Sequence, residues 1–360
     1  MAQIDQFLKI LAERGGSDLH LTTGAPPIMR LHGNLKPFPF RELTPKDMET
    51  LVYGIMEEEA RMRFLDTMDF DFAYEIKGLA RFRVNVFWQR KGLGAVFRTI
   101  PSKILTADDL KLPEAVRNLC LLSRGLVLVT GPTGSGKSTT LAAMVDLINE
   151  TREDHILTIE DPIEFTHPNK KCLVNQREIG TNTKSFASAL RAALREDPDV
   201  ILVGEMRDRE TIELGITAAE TGHLVFGTLH TNSAPKTVDR IIDVFPSDQQ
   251  DQIRSMLAES LKGVVSQALL RTKGGKGRVA AMEIMVGTSA VANLIREGKL
   301  HQIPSMIQTG KKDGMQLLDQ HIMEYLMSGV VEPREAYIKA NNKAQFRPHL
   351  KEEPPQQEFV

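Results

Sequence analysis

Apolar and polar residues alternate through much of the first hundred positions, which is the pattern of half-buried strands. The clearest alternation covers 70–76 and 80–88, where apolar residues, most of them aromatic or β-branched, occupy every second position. A three-residue loop over 77–79 keeps the two apolar faces aligned, because a slip of one residue would turn one strand over. Shorter alternations over 18–22 and 28–32 predict two further strands.

Helical spacing interrupts these strands in two places. Apolar residues recur at helical intervals over 3–14, and Thr44-Pro45 is a helix start with proline at its favoured first position. Together these elements predict a small α+β domain with an antiparallel sheet over 1–99. A polar, proline-containing stretch over 100–113 is interpreted as a linker.

Beyond residue 114 the pattern changes to short, continuous apolar runs separated by segments of helix length. Runs that are apolar on both faces predict a mostly parallel sheet covered by helices, an α/β fold. After residue 247 amphipathic helices predominate, with a hairpin expected around 274–277. We assign this second domain to 114–345 and expect a disordered tail over 346–360, where Pro, Gln and Glu are abundant. The four apolar runs are 126–129, 156–159, 200–203 and 224–226.

Composition narrows the class of protein. The 360 residues include 45 Lys and Arg against 47 Asp and Glu, and this balance gives no global attraction to nucleic acid. Cys120 and Cys172 lie far apart, which argues against a disulfide framework and a cysteine-rich zinc site. No secretory signal and no apolar run of about 20 residues is visible, so we expect a cytoplasmic protein that reaches membranes through a partner.

The sequence that follows the first apolar run carries the strongest chemical signal. GPTGSGKS over 131–138 fits G-x-x-x-x-G-K-[ST], and it lies between a predicted strand and a predicted helix, the context that a phosphate-binding loop requires. Lys137 is expected to reach the β- and γ-phosphates of ATP, and the Ser138 hydroxyl to ligate Mg²⁺. The expected nucleotide-binding residues are Gly131, Pro132, Thr133, Gly134, Ser135, Gly136, Lys137, Ser138 and Thr139.

Acidic residues follow two of the other apolar runs. Glu205 comes after 200–203, at the end of a strand expected to neighbour the phosphate-loop strand, and is the candidate that holds Mg²⁺ through water. Within the cluster 160–164 we assign Glu164 as the base that orients and deprotonates the attacking water. The alternatives are a helix cap or surface acid at Glu205, and a solvated or capping loop at 160–164.

Two histidines flank the last of the four runs. His223 and His230 are seven residues apart on one strand, so their side chains should point to opposite faces, which disfavours joint metal binding. A structural role is the simple interpretation of either residue. If its strand lies beside the phosphate-loop strand, His230 could sense the γ-phosphate.

The ordered set of these segments resembles the secretion ATPase superfamily of type II secretion and type IV pilus machines. The resemblance covers nearly the whole chain and implies a PAS-like N-terminal domain joined to a RecA-like ATPase domain. It also implies a homo-hexameric ring with nucleotide between the two domains. The four boxes are GPTGSGKS (131–138), TIEDPIEF (158–165), DPDVILVGEMRD (197–208) and TAAETGHLVFGTLHTN (217–232).

Within that superfamily the sequence is most similar to the retraction ATPases, the PilT type. The chain begins almost directly at the PAS-like domain and lacks the tetracysteine zinc module of assembly and type II secretion relatives. Residues 290–297 resemble the A-I-R-N-L-I-R-E helix of the retraction type, with departures at Val291 and Ala292. The resemblance implies ATP-driven pilus retraction and twitching motility, with recruitment to an inner-membrane platform protein.

Arg81 and Arg83 project from the face of their strand opposite to the core. The simple interpretation is a cross-strand charge pair, because Arg81 lies opposite Glu75 in the expected register. The resemblance favours a second role, in which at least one of these arginines closes over the nucleotide and stabilises transition-state charge.

Three other functions are compatible with parts of this pattern. An assembly or secretion ATPase belongs to the same class, and the missing cysteines argue against it. A nucleic-acid translocase should carry basic loops or aromatic stacking positions, and a single Trp with near-neutral charge offers little support. A module that binds ATP without turnover is disfavoured, because the phosphate-loop lysine and both glutamates are present.

Overall fold

The computed structural model describes residues 2–31, 34–100, 104–275 and 277–350, and the chain divides after residue 103 into two compact units. The first unit contains helices α1 (Asp5–Glu13), α2 (Pro45–Tyr53) and α3 (Glu58–Thr67). Its strands are β1 (Asp18–Thr22), β2 (Ile28–Leu31), β3 (Asn34–Pro37), β4 (Asp69–Ile76), β5 (Ala80–Gln89) and β6 (Gly92–Ile100).

The first unit is an antiparallel sheet with helices, as the alternating pattern predicted. Its strand order is β3-β2-β1-β6-β5-β4, and every pair is antiparallel. Strands β4 and β5 form the expected hairpin, with Ile76 opposite Ala80 and the loop over 77–79. Phe82, Val84 and Val86 of β5 are fully buried against the helices, and each contributes roughly 1.5–3 kcal/mol through burial.

The second unit is built on a seven-stranded sheet of order β13-β12-β7-β11-β10-β8-β9. All its pairs are parallel except β12 with β13, so the mostly parallel sheet is confirmed. The strands are β7 (Gly125–Thr130), β8 (His155–Glu160), β9 (Leu173–Glu178), β10 (Val200–Val203), β11 (Leu224–Leu229), β12 (Leu261–Arg271) and β13 (Arg278–Val286).

The central strands of this sheet are buried on both sides, because helices cover both of its faces. In the described part of the chain, none of the helices is long and apolar enough to cross a bilayer. The helices are α4 (Glu114–Leu119), α5 (Lys137–Thr151), α6 (Phe186–Ala193), α7 (Arg209–Glu220), α8 (Ala234–Asp243), α9 (Gln250–Ser260), α10 (Ser289–Arg296), α11 (Ile303–Thr309), α12 (Leu318–Met327), α13 (Pro333–Lys339) and α14 (Lys343–Phe346).

The expected hairpin around 274–277 is present, and its two strands extend the main sheet. Strand β12 pairs in parallel with β7 and carries the polar residues Ser266 and Gln267 beside the phosphate-loop strand. The turn uses Gly274 and Gly275, both at positive φ, where glycine avoids the penalty of a Cβ atom. Lys276 lies outside the described residues.

Both boundary predictions differ from the structure. In the expected linker over 100–113, Ile100 ends β6, residues 101–103 lie outside the described part, and Ala107 and Leu112 are buried in the core of the second unit. At the expected tail, Phe346 is fully buried and the described chain continues to Leu350, while 351–360 lie outside it. In both places a few apolar residues within a polar stretch pack into a hydrophobic core. The composition of the stretch does not reveal this packing, because it averages over the polar neighbours.

Candidate nucleotide site

The phosphate loop occupies the turn between β7 and α5, as the motif predicted. Gly131, Gly134 and Gly136 all adopt positive φ, of 144°, 77° and 88°. A Cβ atom on Gly131 would lie 2.4 Å from the carbonyl oxygen of Gln267 on β12, so this position accepts only glycine without displacement of backbone. The loop therefore opens onto the N-terminus of α5, where backbone N–H groups can bind an anion.

Lys137 lies folded over this loop. Its ammonium donates to the carbonyl oxygens of Gly131 at 2.8 Å and Pro132 at 3.3 Å, and lies 3.4 Å from Nδ1 of His230. Burial lowers the pKa of Lys137, while Glu205 and Glu164 raise it. A half-buried cation held by neutral carbonyls, with only partial compensation from nearby carboxylates, fits a phosphate group as its additional partner.

Glu205 follows β10 and faces the same cavity, with its side chain 19% exposed. Its Oε1 lies 2.9 Å from Nε2 of His230 and also contacts Nε of Arg207. The ring of His230 therefore connects Glu205 to Lys137 through its two nitrogens. This brings three predicted site residues into one chain of contacts.

The strand order confirms one expectation about these residues and corrects another. Strand β11 lies beside β7, so His230 stands next to the phosphate loop, as the sensing hypothesis required. Strand β10 is not a neighbour of β7, because β11 separates them. Glu205 nevertheless reaches the cavity, since parallel strands end at the same edge of the sheet.

The loop after β8, residues 160–167, brings Glu160 and Glu164 to the cavity wall. Glu160 accepts hydrogen bonds from the Thr158 hydroxyl at 2.6 Å and from the Gln176 amide at 3.2 Å. Burial raises the pKa of Glu160, and these two donors oppose that effect. Glu160 is thus engaged by protein partners, whereas Asp161 and Glu164 are both exposed at the cavity wall, and the base assigned from the sequence, Glu164, is one of these two carboxylates.

Most of these residues line one cavity of about 730 Å³ in the second unit. Gln267 forms part of its wall and donates its side-chain amide to the carbonyl oxygen of Ser135 at 2.6 Å. Gly131, Pro132 and Ser135 of the same loop do not line the cavity, and the carbonyl oxygens of Gly131 and Pro132 accept from Lys137. The predicted residues that line the cavity are Thr133, Gly134, Gly136, Lys137, Ser138, Thr139, Glu164, Glu205 and His230.

Three predicted residues lie elsewhere. His223 contacts the carbonyl oxygen of Ala218 through Nδ1 at 2.9 Å, a local role at the end of α7. Arg81 and Arg83 belong to the first unit, where Arg81 stands opposite Glu75 in the register and Arg83 Nε lies 3.4 Å from Asp71. The cross-strand placement is confirmed, and a role of either arginine at the nucleotide stays a prediction.

Sequence reasoning missed Gln267, Arg207 and Gln176. Gln267 interrupts an apolar strand, and a polar residue in such a place is a signal that could have identified it. Arg207, two residues after Glu205, had no distinguishing pattern. Gln176 acts on the loop after β8 through contacts that only the fold creates.

A parallel α/β sheet, a glycine loop at a helix N-terminus, and an acid and a histidine at the strand ends define a P-loop ATPase. Residues 69–338 match the family model described as type II/IV secretion system protein. The chain belongs to this family, and within it to the PilT type.

Two sequence relatives and one structure support this placement. The chain is 55% identical to the type IV pilus retraction ATPase PilT of Pseudomonas aeruginosa, over 95% of this chain and 99% of that protein. It is 54% identical to a twitching motility protein of Neisseria gonorrhoeae, over 88% and 84% of the two chains. The crystal structure of the pilus retraction motor PilT with bound ADP superposes with a TM-score of 0.90 at 48% identity, covering 97% and 99%.

Proposed function

We propose that this protein is a hexameric motor that hydrolyses ATP to retract type IV pili by removing pilin subunits from the fibre. The observation that carries the proposal is a cavity that brings together the phosphate loop, Glu164, Glu205 and His230, on a chain that is 55% identical, over nearly its full length, to a pilus retraction ATPase. The bound ADP of the similar retraction motor supports the same type of ligand here.

The residues at the phosphate loop fit ATP with Mg²⁺. Lys137 exchanges its carbonyl partners for the β- and γ-phosphates, and backbone N–H groups of the loop hold the remaining phosphate oxygens. Ser138 and Glu205, which both line the cavity, hold the metal, Glu205 through water. When bound, Mg²⁺ neutralises charge on the phosphates.

Turnover is assigned to residues outside the phosphate loop. Glu164 orients a water molecule and accepts its proton, because a carboxylate at the cavity surface can do both. His230, held between Lys137 and Glu205, responds to the γ-phosphate. At least one of Arg81 and Arg83 supplies positive charge that stabilises the γ-phosphate in the transition state.

The motor acts as a homo-hexameric ring recruited to the cytoplasmic face of the inner membrane by a pilus platform protein. It needs neither direct membrane insertion nor nucleic acid in this role. Helix α10, which contains the segment similar to the retraction helix, buries Val291 and Ile295 and leaves Arg296 exposed. Substitution of Arg296 is therefore expected to leave ring assembly and ATPase activity intact and to impair motility.

The decisive experiment is deletion of the gene, followed by a pilus count and a surface-motility assay. Excess pili without motility supports retraction. Loss of pili indicates an assembly ATPase, and unchanged pili with defective protein export indicates a secretion ATPase. DNA- or RNA-stimulated ATPase activity of the purified protein would indicate a nucleic-acid translocase.

A further inference from the structure

We infer that Gln176 is a positioning residue for the proposed base Glu164. This inference rests on the proposed function, because it concerns the carboxylate that we assign to turnover. Gln176 lies on β9, opposite Thr158 of β8 in the parallel register, and its side chain reaches under the loop 160–167. That loop carries Glu164 at the cavity wall.

One amide contacts the loop at three points. The Gln176 NH₂ donates to the carbonyl oxygen of Phe165 at 2.8 Å and to Oε1 of Glu160 at 3.2 Å. Its carbonyl oxygen accepts from the backbone N–H of His167 at 2.8 Å. The contacts fall on both sides of Glu164 in the sequence, so a single side chain ties the two ends of the segment that presents it.

Two carboxylates complete this support. Glu160 accepts a hydrogen bond from the backbone N–H of Glu164 itself, and Glu178 accepts from the N–H of Ile163 at 3.0 Å. Gln176 therefore bonds to Glu160, which in turn bonds to Glu164, and it also bonds to Phe165, the residue after Glu164. Backbone fixed on both sides sets the point from which the Glu164 side chain extends into the cavity, and correct placement is what a base in a transition state requires.

The chemistry at position 176 requires an amide. Two of the partners accept hydrogen bonds and one donates, so the side chain needs both a donor and an acceptor at fixed separation. A carboxylate of the same shape would keep the contact to His167 and place negative charge beside Glu160 and the Phe165 carbonyl. The inferred role thus predicts that Gln176→Glu is more harmful than its size suggests.

The test uses the full-length protein and compares Gln176→Glu and Gln176→Leu with wild type. We expect kcat for ATP hydrolysis to fall at least tenfold in both variants, while KM for ATP changes less than about twofold. The reason is that Gln176 contacts the loop of the base and no residue of the phosphate loop. Asn175→Ala is the matched control, because Asn175 is exposed on the same strand and bonds to His155.

Glu164→Gln separates failure of this inference from failure of the proposed base. If Glu164→Gln abolishes turnover and both Gln176 variants keep normal kcat, the positioning role is wrong and the base stands. If Glu164→Gln turns over normally, the base assignment itself is wrong. Equal losses in Asn175→Ala and the Gln176 variants, or a parallel loss of ATP affinity, would reduce Gln176 to general support of the strand.

A second measurement distinguishes a local effect of the Gln176 substitution from general loss of stability. Amide hydrogen exchange of a peptide covering 160–168 is followed in the wild type and in Gln176→Leu. Faster exchange confined to this peptide supports local loss of position. Faster exchange throughout the second unit contradicts it.

Discussion

The two walls of the nucleotide cavity achieve their order in different ways. The phosphate loop is held by its own backbone conformation, with three glycines at positive φ and Lys137 folded back onto the Gly131 carbonyl. The loop after β8 is held by side chains that arrive from β9 and from its own first residue. The phosphate loop thus takes its shape mainly from local sequence, with added support from Gln267 of β12, whereas the proposed catalytic loop depends on distant side chains.

The same contrast separates charge from geometry. At the phosphate loop, a cation whose pKa is lowered by burial awaits anionic oxygens. At the other wall, the Glu160 carboxylate accepts hydrogen bonds from Thr158 and Gln176, and Glu164 lines the cavity. Changes at the first wall should therefore affect binding and turnover together, and changes at the second wall mainly turnover.

The largest effect is expected for Lys137→Ala. This change removes the positive charge directed at the phosphates, so kcat/KM for ATP should fall by about 10³-fold, roughly 4 kcal/mol in the barrier. Phosphate release measures the rate, and calorimetric titration with ADP measures binding. Lys236→Ala, at an exposed position on α8, is the control. Near-normal kcat/KM in Lys137→Ala would contradict the placement of phosphate at this loop.

Two glycines of the same loop test whether close approach or backbone conformation matters more. In Gly131→Ala the new Cβ would meet the Gln267 carbonyl, and a loss of about 3 kcal/mol in the free energy of unfolding is expected. In Gly134→Ala no atom lies within 4 Å and only the positive φ opposes the change, at a cost of about 1 kcal/mol. Urea unfolding measures both. Equal losses would show that crowding at Gly131 is relieved elsewhere.

Glu164→Gln tests the second wall. Without a base, kcat should fall by about 10²-fold, while the amide keeps the shape of the side chain and ADP affinity stays within about threefold. Single-turnover hydrolysis and ADP titration provide the two quantities. Normal turnover in this variant would require another residue to activate water.

Acid should lower the free energy of unfolding through His167, which lies in the loop of the second wall. Burial lowers the pKa of His167 to about 4, and Asp146 opposes this shift. Because the unfolded chain binds this proton near pH 6.5, stability falls as pH drops from 6.5 toward 4. At pH 5 the penalty is about 2 kcal/mol. His167→Gln should therefore lose less unfolding free energy than wild type between pH 7 and pH 5. Parallel losses in the two proteins would contradict this assignment.

The smallest effect concerns the first unit. Arg81→Ala and Arg83→Ala, made separately, should leave folding and ADP affinity unchanged, since exposed cross-strand pairs contribute only about 0–1 kcal/mol. At least one variant should hydrolyse ATP about tenfold more slowly, roughly 1.4 kcal/mol in the barrier. Unchanged turnover in both variants would leave the arginines as surface charges.

Most of the fold and the position of the phosphate loop followed from sequence. Alternation over 70–76 and 80–88 was sufficient for the hairpin and its register, because period two and loop length admit one alignment. Continuous apolar runs predicted the parallel sheet, and the GPTGSGKS motif predicted the phosphate loop with the helix at Lys137. These features depend on residues close together in the chain.

Tertiary structure alone decided the rest. That β11 separates β7 from β10, that Gln267 crowds Gly131, and that Gln176 supports the Glu164 loop all depend on strand order and on contacts between distant segments. The sequence by itself determined which residues could bind phosphate, because the glycines of GPTGSGKS set the backbone conformation of that loop. Only the packed sheet determined which side chains hold Glu164 in place, because those contacts exist only after the strands have paired.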